Sequence, residues 1–207
     1  AGQRPQKVIT VGSPKGGTGK TTTAVHVAVG LIKLGHRVGS IDLDGAQGTL
    51  SRYLANRMAL ARESGQDLAM PQHRRVKPVE INRRHGVEEA EEANFRKALA
   101  ELSDCDYLVI DTPGYDCHLA RLGCKYADTL ITPLNDSLFD IDILARIDCR
   151  KREVLGPSEY CKLVWRENDR RVAQGRQPID WIVMRNRLAS LETRNNREIQ
   201  DLLQQLS

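Results

Sequence analysis

The chain has 207 residues, of which 40% are hydrophobic, 28% charged and 4% aromatic, with a formal charge of +4. This composition excludes general disorder and supplies enough apolar material for a core. No run of about 18 apolar residues is present to span a bilayer, Ala1–Lys7 does not read as a signal peptide, and so few aromatics argue against a base-stacking single-strand binder.

The first element predicted along the chain is a β-branched strand, Lys7–Gly12 (KVITVG), which runs into a glycine-rich turn. A helix over Thr21–Leu34 follows, with Val25, Ala28, Val29 and Ile32 on its apolar side and Gly35 as a left-handed stop. Arg37–Leu43 (RVGSIDL) is a second strand. Gln72–Arg84 is basic (Arg74, Arg75, Lys77, Arg83, Arg84) and reads as a solvated loop, with a partner surface as the other reading. Glu88, Glu89, Glu91 and Glu92 then open a helix to about Leu102, their charges matching the helix dipole. Tyr107–Asp111, Thr129–Leu134 and Ile179–Met184 supply three more strands. A last helix begins near Leu188, with Leu188, Leu191, Ile199, Leu202 and Leu206 as its stripe. Continuous apolar strands alternating with helices predict an α/β fold: a doubly wound, mostly parallel sheet in one domain over residues 1–207.

Between the first strand and the first helix lies PKGGTGKTT, Pro14–Thr22. That position is the one a phosphate-binding P-loop requires. Gly16, Gly17 and Gly19 let backbone N–H groups turn inward around phosphate oxygens. Thr18 completes the loop, and the helix adds its N-terminal dipole. Lys20 is placed to reach the β- and γ-phosphates, Thr21 to ligate Mg²⁺ and Thr22 to make a further phosphate contact. Pro14 stands where the standard G-x-x-x-x-G-K-[ST] pattern has its first glycine, and Lys15 adds a second lysine inside the loop.

Two carboxylate sites agree with a P-loop NTPase. Leu108–Gly114 (LVIDTPG) reads as an apolar strand ending in a metal-binding Asp111, with Gly114 placed to sense the γ-phosphate through its N–H. SIDLD, Ser40–Asp44, closes the second strand, and Asp42 and Asp44 face the same way only if that strand continues. Pro133, at the end of the fourth strand, and Asn135 and Asp136, which follow it, form a weaker candidate base site. No guanine-reading N-K-x-D motif is present, which favours ATP as the nucleotide.

K-G-G-T-G-K-T resembles the deviant Walker A loop of the ParA/MinD family of ATPases. The resemblance implies that Lys15 reaches across an ATP-dependent homodimer to the partner's phosphates. It also implies that Asp44 positions the attacking water, Asp42 lies in the outer shell of Mg²⁺, and Asn186 contacts adenine; from the residues alone, the other reading is that Asn186 merely caps or turns the chain there. Ile179–Arg194, Thr132–Phe139 and Val164–Gln177 are similar to the MipZ branch of that family. That similarity implies a cytoplasmic ATPase switch, nucleoid-associated in a polar gradient, which slowly hydrolyses ATP. Its dimer binds DNA without sequence preference and inhibits FtsZ assembly, and its monomer is recruited by ParB, so that the division plane is positioned. A ParA-type chromosome or plasmid partition ATPase is the alternative. The family resemblance also implies a further closing segment, so the chain is expected to lack one after Ser207.

Arg185, Arg187, Arg194 and Arg197 form a candidate DNA-binding cluster, with an ordinary solvated face as the equal reading. The five cysteines lack compact zinc spacing and read as reduced thiols, so Mg²⁺ is the metal expected. Glu198–Ser207 lacks Lys, Arg and aromatics, which makes a MinD-type membrane anchor a poor fit. A metabolic ligase or reductase on the same fold has no small-molecule signature here.

Overall fold

The computed structural model describes residues 5–77, 79, 86–135, 137–148, 150–151 and 153–187. The predicted closing helix, with Arg194 and Arg197, lies outside them, as do Asp136, Arg83 and Arg84.

Six parallel strands form the sheet: β1 (Lys7–Val11), β2 (Val38–Asp42), β3 (Gln72–Arg75), β4 (Tyr107–Asp111), β5 (Thr129–Asn135) and β8 (Asp180–Asn186). Their spatial order is β3-β2-β4-β1-β5-β8. β1 pairs with β4 from Lys7↔Tyr107 to Val11↔Asp111, and with β5 from Ile9↔Thr129 to Val11↔Ile131. β2 pairs with β4 so that Asp42 lies beside Asp111. A separate antiparallel hairpin joins β6 (Ala145–Asp148) to β7 (Glu153–Pro157).

Alternation along each buried strand sends side chains to two helical layers. On one face Val11, Val38 and Val109 pack against Ala24 and Ala28 of α1 (Lys20–Lys33). Val25 carries that layer on to Leu50 and Leu54 of α2 (Thr49–Ser64). On the other face Ile41, Leu108 and Ile110 meet Phe95 of α3 (Val87–Glu101) and Leu119 and Leu122 of α4 (His118–Tyr126). Leu130 and Cys124 extend this second layer to Val164 of α6 (Glu159–Ala173), whose Ser158 caps it by accepting from the Cys161 N–H. A single helical turn, α5 (Leu138–Ile141), follows β5.

The five predicted strands and both predicted helices before residue 188 are present, displaced by at most two residues at their ends. Gly35 adopts the left-handed conformation expected after α1, with φ 89°. One expectation is corrected: the basic stretch is not wholly a loop. Gln72–Arg75 joins the sheet edge as β3, because Gly39–Asp42 offers it an unpaired parallel neighbour and His73 turns toward the polar residues of that strand. Backbone pairing overrides the charge of this segment, whose arginines remain at the rim. Among the described residues, no helix is long and apolar enough to cross a membrane.

Candidate functional site

β1 lies between β4 and β5 while its helix leads back to β2, so the strand order reverses at β1. An open parallel sheet has its crevice at the carboxyl ends of the strands beside such a reversal. The turn from Gly12 to Gly19 fills this position. Gly17 and Gly19 hold φ angles of 77° and 94°, which side chains with a Cβ rarely adopt. Gly19 is also the N-cap of α1 and has no side-chain cap, so the first N–H groups of the helix face the loop. Such a terminus suits an anion.

Lys20 is buried, and its ammonium donates to the Lys15 carbonyl at 2.7 Å, folding the lysine back under the loop. Burial lowers its pKa, opposed by the charges of Asp111 and Asp44. Thr21 donates to Asp111 Oδ2 at 2.7 Å, while Asp111 Oδ1 is buried without a partner among the described residues. Burial raises the Asp111 carboxyl to about 7, and the nearby Asp42 charge adds to that rise. A hydroxyl beside a buried carboxylate with one unanswered oxygen is a donor set that fits Mg²⁺. A cation there would also relieve the cost of ionising Asp111.

Asp42 is fully buried and supports the loop that follows it. Its Oδ2 accepts from the Ser51 amide at 3.0 Å and the Ser51 hydroxyl at 2.8 Å. Ser51 Oγ is 2.9 Å from His73 Nε2, and His73 Nδ1 is 2.9 Å from Ser40 Oγ. Since the Ser51 proton goes to Asp42, the assigned tautomer carries hydrogen on Nε2, and Nδ1 accepts from Ser40. β2 stops at Asp42, so Asp44 does not continue its alternation. Asp44 instead enters a turn in which Gly48 N donates to its carbonyl at 2.6 Å and Gln47 N to its Oδ1 at 3.3 Å. The turn is pressed against the end of β3: a Cβ on Gly45 would lie 2.1 Å from the Val76 carbonyl, and Arg75 donates to the Gly45 carbonyl at 2.5 Å.

The remaining predicted residues surround the loop. A Cβ on Gly114 would lie 3.0 Å from Gly16 Cα and 3.1 Å from Lys20 Nζ, so the D-T-P-G turn touches the phosphate loop. Asn186, at the end of β8, donates through Nδ2 to the Thr18 carbonyl at 3.0 Å, and Asn135 donates to the Gly17 carbonyl at 3.3 Å. Thr18 is buried, whereas Gly16, Gly17 and Thr22 are exposed. Lys15 pairs with buried Asp140 of α5, whose other oxygen accepts from Asn135 N at 2.8 Å. Arg185 is half-buried near the end of β8, and Arg187 is exposed just beyond it with φ 54°. Sequence reasoning missed Ser51, His73, Asp140 and Tyr160, each of which reaches the site from a distant element and carries no short motif.

A second lysine within a phosphate loop that opens α1 sets this chain among the P-loop ATPases with a deviant Walker A loop. Residues 7–207 match the family described as ATPase MipZ, and the chain belongs to that family. An uncharacterised ATP-binding protein of Methanocaldococcus jannaschii is 30% identical over 146 residues, 65% of this chain and 55% of that protein. A plasmid partition protein of Borrelia burgdorferi bound to AMPPNP superposes with a TM-score of 0.60 at 18% identity, covering 96% of this chain and 81% of that one. Cobyrinic acid a,c-diamide synthase of Mycobacterium smegmatis with ADP and magnesium gives 0.60 at 22% identity, covering 96% and 82%. At these identities the structural likeness speaks to the fold. The chain spans about half, or less, of the length of the curated relatives it matches.

Proposed function

We propose that the chain is an ATP-dependent dimerisation switch that hydrolyses ATP slowly with Mg²⁺ and positions the division plane. Gly16, Gly17, Thr18, Gly19, Thr21 and Thr22 bind the phosphates with Lys20, Gly114 monitors the γ-phosphate, and Asn186 contacts the base. Thr21 and Asp111 hold the metal, with Asp42 behind them, and a bound Mg²⁺ would neutralise charge developing on the phosphates. Asp44 orients the attacking water. Lys15 crosses to the partner's nucleotide in the dimer. The observation that carries the reading is the joint placement of Lys15 and Lys20 at one loop against the Thr21–Asp111 pair. One structure of the same fold with AMPPNP bound and another with ADP and magnesium support the choice of ligands.

In this reading the dimer binds DNA non-specifically through Arg185, Arg187, Arg194 and Arg197, since duplicating a weak cationic patch strengthens it by avidity. ParB binds the monomer, and the dimer restrains FtsZ assembly. The decisive measurement is light scattering with a non-hydrolysable ATP analogue, followed by salt-dependent DNA binding with and without it. Analogue-dependent dimers that hold DNA are expected, and equal DNA binding in both conditions overturns the switch. Sedimentation of FtsZ with the ATP-bound protein then separates this function from plasmid or chromosome partition.

A further inference from the structure

A one-way chain of hydrogen bonds runs from the sheet edge to the start of the phosphate loop. Trp181 of β8 donates through Nε1 to Thr132 Oγ1 of β5 at 3.0 Å. Thr132 Oγ1 lies 3.0 Å from Tyr160 Oη of α6, and Tyr160 Oη donates to the Gly12 carbonyl at 3.0 Å. The direction of every link is fixed. An indole only donates and a carbonyl only accepts, so the single phenolic proton goes to Gly12 and the Thr132 proton goes to Tyr160. Burial raises the Tyr160 phenol well above its ordinary value, so it keeps the proton it donates. The Tyr160 and Trp181 rings also meet edge to face, 6.1 Å apart at 76°.

The acceptor at the end of this chain is not an ordinary strand carbonyl. Gly12 N donates to the Ile131 carbonyl at 2.9 Å, which fixes one side of the residue to β5. Its carbonyl belongs to the peptide that leads into Ser13 and Pro14. Because a trans peptide is planar, fixing that oxygen also fixes the Ser13 N–H on the opposite side. Pro14 restricts Ser13 to extended conformations, so little freedom is left between Gly12 and the loop glycines. The approach is close: a Cβ on Gly12 would lie 3.3 Å from both Leu130 Cδ1 and Tyr160 Oη. In the standard pattern a glycine occupies the Pro14 position, whereas here the loop begins stiffly and is held from α6.

We propose that Tyr160 is a positioning residue for the phosphate loop, acting through the Gly12 carbonyl, and that Trp181 at the far end of the chain reports nucleotide binding. This inference rests on the ATP-binding reading above and adds to it a coupling between the loop and the β5–β8 edge. Tyr160 touches no phosphate in this role. It sets the peptide from which the loop departs, so its loss acts on nucleotide affinity and KM more than on kcat.

The test uses the chain carrying Trp165→Phe, which removes the exposed second indole and leaves Trp181 as the reporter. Binding of AMPPNP is followed by Trp181 emission and, independently, by calorimetry. Tyr160→Phe deletes one oxygen and leaves a buried carbonyl unanswered, so affinity is expected to fall about tenfold with kcat little changed. Thr132→Val cuts the chain above Tyr160 but spares its bond to Gly12. Its affinity should stay within about twofold of the parent's, as expected for a break that leaves the final bond made, while the emission response disappears. A parent that binds no AMPPNP defeats the nucleotide reading itself. A parent that binds, with Tyr160→Phe unchanged in affinity or Thr132→Val unchanged in emission response, overturns the coupling alone. Should Tyr160→Phe fail to fold, the Thr132→Val emission decides.

Discussion

The carboxylate of Asp140 grips the ammonium of Lys15 across 125 positions of sequence, inside one chain. Asp140 is almost fully buried and is itself held by the Asn135 amide, whereas Lys15 is partly exposed. A lysine that must reach a partner's nucleotide has to leave this carboxylate first. Asp140→Asn keeps the side-chain shape and an acceptor for Asn135 but removes the charge. For a partly exposed pair the gain is about 1 kcal/mol, roughly fivefold. Dimers should therefore form at about fivefold lower ATP-analogue concentration, as read by light scattering, and Lys15→Ala should abolish them.

A second expectation concerns pH. Asp111 titrates near 7 in the folded chain against an ordinary value of 3.8. Between those values the folded state holds more protons than the unfolded state, so stability falls as pH rises, by at most about 1.4 kcal/mol per pH unit. His73 acts in the opposite sense below 6.5, because burial lowers its pKa and the unfolded chain takes up the proton first. Comparing the chain with Asp111→Asn, which leaves His73 in place, isolates the first effect. Denaturant midpoints from pH 4 to 8 without Mg²⁺ should show a falling contribution that the variant lacks. Adding Mg²⁺ with ATP analogue should flatten it, since the cation competes with the proton.

The third expectation tests contact between the D-T-P-G turn and the loop. A methyl at Gly114 would crowd Gly16 backbone and the Lys20 ammonium at once. Gly114→Ala should weaken ATP-analogue affinity about tenfold or more, in line with the cost of overpacking a rigid site. Because the same crowding is present without nucleotide, the melting temperature of the nucleotide-free chain should fall by a few degrees as well. Normal affinity measured by calorimetry would show that the turn moves freely away from the loop.

Asp44 and Ser51 separate chemistry from support. Asp44→Ala should slow ATP turnover about a hundredfold, the scale of a lost water-orienting group, while dimers persist. Ser51→Ala removes a half-buried hydroxyl between Asp42 and His73 and takes a partner from the buried Asp42 carboxylate, which should cost about 1–3 kcal/mol in denaturant unfolding, with Ser51→Thr recovering much of it.

The loop, the strand before it and the helix after it were legible because each rests on local chemistry: β-branching, glycine conformations and apolar spacing. Asp111 was legible for the same reason, as the polar end of an apolar strand. β3 was not, because its four residues are Gln, His, Arg and Arg, and only the open edge of β2 makes them a strand. Asp140, His73 and Tyr160 were illegible as partners because sheet order, not sequence distance, brings them to Lys15, Asp42 and Gly12. α2 carries only Leu50 and Leu54 inward and leaves Tyr53, Met58 and Leu60 exposed, so its apolar spacing was too sparse to mark a helix.

The strand that carries the phosphate loop sits in the middle of the sheet, with Lys7 paired to Tyr107 and Ile9 to Thr129. During synthesis β1 is made before both its neighbours, which follow about half a chain later. Until then the loop has a helix behind it and no walls beside it. Contacts of such long sequence separation close slowly. The phosphate loop is therefore made well before the strands that wall it, and a chain that ends before β4 and β5 carries the loop without its site.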